Sequence, residues 1–109
     1  MYKVLVLYGE PERPEEFDHY YDQTHVPLAS KMRGLSRWTI TKFEPAPDGT
    51  PPPYYYAAEL YAETREALEE VLASDEGRAA NADVEEFATG GAVYCFGPEV
   101  DVPVEGSSR

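Results

Sequence analysis

The stretch from Phe17 to Trp38 constrains the fold more than any other part of this chain. Five of its side chains recur at steps of four, four, three and four residues: Phe17, Tyr21, His25, Leu28 and Met32. This is the spacing of side chains along one face of an α-helix. Because four of the five are apolar or aromatic, the face is predicted to be buried, with an imidazole in its middle.

His25 is therefore the first candidate for proton chemistry, since an imidazole can accept or release a proton near neutral pH. Its second ring nitrogen needs a partner, and Tyr21 or Asp22 lies within one helical turn. The alternative is a structural histidine that stabilises the backbone through a hydrogen bond. His19, the other histidine, lies off the stripe and is predicted to face solvent.

Helix one is predicted to run from about Pro14 to Met32 and to be irregular near Pro27. Proline lacks the N–H of a helical hydrogen bond, and its ring clashes with the carbonyl four residues earlier, that of Gln23. The helix should kink there, or break and restart at Thr24 as a cap.

The remaining hydrophobic patterns predict strands over 2–8, 35–43, 54–61 and 92–96, and helices over 63–73 and 75–88. The order β-α-β-β-α-β predicts a ferredoxin-like α+β sandwich, with a four-stranded antiparallel sheet covered by helices on one face. Residues 1–97 are predicted to form this domain, and residues 98–109 a tail that is partly disordered.

The first strand is apolar on both sides, with Tyr2, Val4, Val6 and Tyr8 on one face and Leu5 and Leu7 on the other. The chain has helices for one face only. A second copy is the simplest cover for the other face, so two sheets are predicted to pair in a homodimer.

Charge and composition exclude several classes of protein. A net charge of -12 over 109 residues argues against nucleic acid and anionic membrane surfaces as partners. No apolar run approaches the roughly 20 residues that span a bilayer, and no signal peptide is visible. The single cysteine, Cys95, fits a reducing compartment and is predicted to be a small buried residue rather than a nucleophile. A cytoplasmic protein is predicted.

The same stretch resembles the EthD family, within the dimeric α/β-barrel group. The residues that carry the resemblance are Phe17, Tyr20-Tyr21, His25, Pro27-Leu28, Gly34-Leu35 and Trp38. Trp38 departs from the pattern, because relatives more often carry tyrosine there. The resemblance implies a small, cytoplasmic, dimeric protein with a role in the degradation of organic compounds. Relatives isomerise lactones, cyclise polyketides, decarboxylate or oxidise aromatics, often without metal or organic cofactor, in a pocket between helices and sheet.

Beside this resemblance, His25 and Tyr21 are the predicted catalytic residues, with core packing as the alternative role of Tyr21. The predicted substrate-binding residues are Phe17, Leu28, Trp38, Tyr54 and Tyr56. In a strand, Tyr54 and Tyr56 would share one face and Tyr55 the other. No cofactor is predicted, and no metal, because Asp18, Asp22 and His25 lack a further ligand.

Two functions remain open at this point. The first is a cofactor-independent isomerase, lyase or cyclase for a small aromatic or lactone substrate, with His25 as general base and tyrosine hydroxyls polarising a carbonyl. The second is a non-catalytic dimeric protein that binds a small hydrophobic ligand. A cofactorless aromatic monooxygenase is a further alternative.

Overall fold

The computed structural model describes residues 1–106. Its strands are β1 (Tyr2–Tyr8), β2 (Arg37–Lys42), β3 (Tyr56–Ala62) and β4 (Ala92–Pro98). Its helices are α1 (Pro14–Tyr20), α2 (Val26–Ala29), α3 (Arg65–Ala73) and α4 (Asp75–Asp83), with a π-helical turn (Tyr21–His25) between α1 and α2 and a 3₁₀ turn (Val84–Glu86) after α4.

The strands form one antiparallel sheet in the order β2-β3-β1-β4. With the two helical segments packed on one side, this is the ferredoxin-like α+β fold, and the fold prediction is confirmed. The element bounds differ by a few residues, since β2 and β3 begin two residues later than predicted and β4 ends at Pro98. The tail was predicted to begin at this same residue.

The tail prediction concerns residues 98–109, of which 107–109 lie outside the described residues. The backbone N–H of Glu99 still bonds the carbonyl of Met1 at 2.8 Å, just beyond β4. Residues 99–106 belong to no helix or strand.

Helix one is irregular beside Pro27, as predicted, although the form of the irregularity differs. In place of a break at Thr24, the chain widens into a π turn in which the N–H of Val26 bonds the carbonyl of Tyr21. A π turn holds one more residue than an α turn, so the side chains of α2, directly after it, move on by one position. The buried stripe therefore continues through Ala29, which is 2 % exposed, while Leu28 is only half-buried.

Serine and threonine caps set the starts of α3 and α4. The Thr64 hydroxyl accepts from the N–H of Ala67, and the Ser74 hydroxyl accepts from the N–H of Gly77, each at 3.0 Å. Gly77 also lies against the end of α3, where an added Cβ would come within 2.2 Å of the Val71 carbonyl oxygen. The two helices can therefore turn sharply into one another and cover the sheet together.

The sheet has one covered and one open face, as the two-sided pattern of β1 predicts. Val4, Val6 and Tyr8 are buried under the helices, whereas Leu5 and Leu7 point the other way and are only half-buried. Cys95 lies opposite Leu5 on this open face and is exposed, so its predicted burial is wrong for the single chain. An edge strand with no layer above it leaves its side chains in water.

No helix in the described part of the chain is both long and apolar enough to cross a membrane.

Candidate functional site

His25 is the buried polar residue of the core, 5 % exposed at the last position of the π turn. Its Nδ1 lies 3.0 Å from Oδ2 of Asp83, which approaches from α4. A carboxylate only accepts hydrogen bonds, so Nδ1 is the nitrogen that carries the hydrogen, and in the neutral ring Nε2 then holds the lone pair. Because both side chains are nearly buried, little water competes for this contact.

Asp83 is the residue that the sequence-based reasoning missed, since the expected partners of His25 were Tyr21 and Asp22. Its second oxygen, Oδ1, accepts from the hydroxyl of Tyr20 at 2.7 Å, and this hydrogen bond raises the pKa of Tyr20 to about 12. Asp83 is the last residue of α4, where the helix dipole disfavours a negative charge. Its two hydrogen bonds therefore hold a carboxylate where the helix alone would not.

A cavity of about 450 Å³ lies between the helices and the sheet. Its sheet wall is apolar and includes Val4, Val6 and Leu60, while Met32 and Val84 close it from the helical side. Such a volume is in the range of small-molecule pockets. The cavity can hold a small apolar molecule against the covered face of the sheet.

Three of the predicted site residues, His25, Tyr21 and Trp38, meet in the wall of this cavity. The ring of Tyr21 lies 5.0 Å from that of His25. Burial raises the pKa of Tyr21, so its phenol stays neutral. Within the part of the chain that the structure describes, the Tyr21 hydroxyl and the Trp38 indole N–H are buried without hydrogen-bond partners.

Phe17 and Tyr56 do not line the cavity but pack behind it, with ring centres 5.3 Å apart. Tyr55 also packs on Phe17 at 5.3 Å, although it was predicted to face away from Tyr56. That prediction is wrong because β3 begins only at Tyr56, so strand alternation does not yet apply at Tyr55. Tyr54 also precedes the strand, is half-buried and does not reach the cavity wall.

Leu28 is likewise outside the cavity wall, and Ala29 takes its place there. This exchange follows directly from the extra residue of the π turn. His19 is exposed, as predicted.

The acidic residues near helix one serve as structural contacts. Asp18 accepts from Nζ of Lys42 at 2.8 Å and from the hydroxyl of Tyr55 at 2.7 Å, which ties α1 to the sheet edge. Among residues 1–106, no three His, Cys, Asp or Glu side chains are grouped so that they could hold a metal ion.

Fold and site together define a ferredoxin-like protein with a buried His–Asp pair beside an apolar cavity. The EthD domain family matches residues 10–91 of the chain. An uncharacterized 11.0 kDa protein from the thcB-thcC intergenic region of Rhodococcus erythropolis is 38 % identical over 102 residues, which cover 94 % of this chain and 98 % of that protein. The chain belongs to the EthD family.

Solved structures agree with this assignment. An EthD family protein from Bacillus halodurans is 33 % identical, with a TM-score of 0.85, and the match covers 92 % of this chain and 99 % of that one. Two more distant structures share the fold alone. The cofactor-independent oxygenase SnoaB from Streptomyces nogalater is 11 % identical, with a TM-score of 0.63 and 93 % of each chain covered. A dimeric protein of unknown function from Bacteroides fragilis is 13 % identical, with a TM-score of 0.61 and 87 % and 92 % of the two chains covered.

Proposed function

We propose that this EthD protein is a cofactor-independent enzyme in which His25 removes a proton from a small aromatic or lactone substrate. The reaction would be an isomerisation, an elimination or a cyclisation. One observation carries the proposal: His25 lies in the wall of an apolar cavity and is bonded through Nδ1 to Asp83 behind it, while its Nε2 makes no hydrogen bond to the described residues.

The proposed proton transfer depends on the hydrogen bonds that join His25, Asp83 and Tyr20. Asp83 fixes the imidazole with its hydrogen on Nδ1, so the lone pair on Nε2 is available to a molecule in the cavity. When Nε2 takes a proton, the ring becomes an imidazolium, and the carboxylate of Asp83 stabilises that charge. Tyr20 donates to the other oxygen of Asp83 and keeps the carboxylate in place. Proton transfer by a positioned base is typically worth about 10² to 10⁴ in rate.

The surrounding side chains define what such a substrate would resemble. An apolar wall favours a ring or lactone whose proton is acidified by a nearby carbonyl. The neutral phenol of Tyr21 is the proposed donor to that oxygen, which a small side-chain movement would bring into reach. Trp38 is proposed to contact the ring of the substrate, and Phe17 and Tyr56, which pack behind the cavity, are proposed to support its wall.

A cofactor-independent aromatic oxygenase is the second candidate, and the fold of SnoaB favours it. Both candidates share their first step, because an aromatic substrate must lose a proton before its electron-rich anion can react with dioxygen as the oxidant. His25 would have the same role in each. A protein that only binds a ligand would not need the lone pair on Nε2.

The shared step can be tested by deuterium exchange. Aromatic ketones and lactones with acidic C–H groups are incubated in D₂O with the wild type, His25→Gln or His19→Gln, and loss of the C–H signal is followed by NMR. We expect exchange with the wild type and with His19→Gln, and a rate about 10² to 10⁴ lower with His25→Gln. Equal rates for all three proteins, or binding without exchange, would contradict the proposal.

We also propose that the protein is a cytoplasmic homodimer, joined through the open face of its sheet into an α/β barrel. The half-buried Leu5 and Leu7 and the exposed Val93 make that face partly apolar. The Bacteroides fragilis protein of the same fold is described as dimeric. The exposed thiol of Cys95 is compatible with a reducing compartment.

A further inference from the structure

We infer that Arg78 selects substrates that carry an anionic oxygen group, most simply a carboxylate, at the end remote from the proton that His25 removes. This inference extends the proposed function by naming the class of ligand. It places an aromatic or alicyclic acid in the cavity, with its ring against the sheet and its anionic group at the mouth.

The charge of the cavity is the first argument. The chain holds 21 acidic and 9 basic residues, yet in the described part of the chain no Asp or Glu lines the cavity and Arg78 is the one Lys or Arg that does. A protein with this net charge would otherwise repel an anion. A cation at the mouth of an apolar, carboxylate-free cavity would attract an anion there despite the negative net charge.

The geometry of the mouth is the second argument. Arg78 and Asn81 lie one turn apart on α4, on the same side of the helix. Oδ1 of Asn81 accepts from the hydroxyl of Tyr94 at 2.9 Å, so its amide hydrogens remain to donate. The two side chains together offer donors for both oxygens of a carboxylate, and Tyr94 brings an aromatic ring from β4.

The spacing of Arg78 and Asp83 along α4 sets the length of the expected ligand. Arg78 and Asp83 are five residues apart on α4, which corresponds to a rise of about 7.5 Å. A fused two-ring acid is of similar length, so its anionic group can meet Arg78 while its opposite end meets His25.

Arg78 is available for this role. Its Nη2 donates to Asp75 at 2.9 Å, but the side chains are 68 % and 91 % exposed, and such a surface pair is weak. The guanidinium keeps its other N–H groups for a ligand.

The test compares 6-hydroxy-2-naphthoate with 2-naphthol, two probes that share a hydroxyl-bearing ring system and differ in the carboxylate. Dissociation constants are measured by calorimetry for the wild type, Arg78→Gln and Arg65→Gln. Arg65 is an exposed arginine of α3 outside the cavity and serves as the matched control. We expect the wild type and Arg65→Gln to bind the naphthoate about 5- to 10-fold more tightly than naphthol, and Arg78→Gln to lose this preference.

The inference is overturned if the wild type binds neither probe or shows no preference, if the preference survives in Arg78→Gln, or if both variants lose it. These measurements need no turnover. A preference that depends on Arg78, combined with normal deuterium exchange by His25→Gln, would reject the proposed base while leaving the ligand class standing.

Discussion

At the scale of single residues, Asp83 matters to the proposed proton transfer as much as His25 does. The carboxylate of Asp83 favours the hydrogen on Nδ1, which leaves Nε2 as the nitrogen that can act as the proposed base. Asp83 also accepts a hydrogen bond from Tyr20, so three side chains form one hydrogen-bonded chain between helix one and α4. Such a chain is sensitive to the loss of Asp83, because the buried His25 would be left without its partner.

Asp83→Asn should fold but lose activity. The amide is nearly the same size as the carboxylate, yet it no longer favours the hydrogen on Nδ1 and cannot stabilise an imidazolium. We expect the deuterium-exchange rate to fall by about 10² to 10⁴. Asp22→Asn is the control, since Asp22 is exposed and, among residues 1–106, its side chain accepts a hydrogen bond only from Gln23. Similar rates for the two variants would show that Asp83 has no such role.

The bond between Tyr20 and Asp83 also predicts how stability depends on pH. The pKa of Tyr20 rises from 10.0 to about 12 in the folded protein. The folded state therefore holds the phenol proton of Tyr20 more tightly than the unfolded state does. The contribution of this hydrogen bond to the free energy of unfolding is complete below pH 10 and is lost as the pH rises through about 12. Urea unfolding between pH 9 and 12 should show that the free energy of unfolding falls less steeply with pH in Tyr20→Phe than in the wild type. An unchanged slope would contradict this assignment.

At the scale of elements, the π turn decides which residues of helix one reach the cavity. The regular pattern before it, Phe17 to Tyr21 to His25, survives because the wide turn keeps a spacing of four. In α2 the pattern has moved on by one residue, so Ala29 is buried where Leu28 was expected, while Met32, beyond α2, is buried as predicted. Pro27 removes one N–H from this segment, which makes the wider bonding pattern less costly than it would be elsewhere.

This shift predicts unequal effects of the same substitution at neighbouring positions. Ala29→Glu places a charge on the buried face and should lower the free energy of unfolding by at least about 3 kcal/mol. Leu28 lies on the half-exposed side of the helix, so Leu28→Glu should lower the free energy of unfolding by about 1 kcal/mol. Chemical denaturation of both variants measures the difference. The reverse order would mean that the stripe runs through Leu28.

The parts that sequence predicted are those fixed by local periodicity. The alternation of β1 and the stripe containing His25 each depend on neighbours within a few residues. Asp83 could not be found in this way, because it meets His25 across 58 positions and only the packing of α4 on helix one brings them together. The predicted helix over 75–88 placed Asp83 in its interior, so the sequence offered no signal that marked this residue.

At the scale of the whole molecule, the open face of the sheet is the feature that the single chain leaves without a partner. Leu7 pairs with Val93 on one side and with Ala57 on the other, so these three side chains lie together on that face. Burial of such a surface in a specific dimer typically removes about 1,200 Å² or more from water.

Leu7→Glu should therefore dissociate the dimer. We expect the wild type to sediment as a dimer at micromolar concentration, and Leu7→Glu as a monomer, because a charge would be buried against a second sheet. Ile40→Glu is the control, since Ile40 is an apolar residue, 46 % exposed, on the opposite face of β2. A monomeric wild type would disprove the proposed dimer, and dissociation of both variants would show that the open face is not the interface.

Long-range ¹H–¹⁵N NMR reads the tautomer of His25, on which its role as a base depends. The chain has only two histidines, so their ring signals can be assigned with His19→Gln. The account predicts that neutral His25 carries its hydrogen on Nδ1, and that added 6-hydroxy-2-naphthoate shifts its Nε2 signal while leaving that of His19 unchanged. A hydrogen on Nε2, or a His25 signal that does not respond to a ligand shown by calorimetry to bind, would contradict the account.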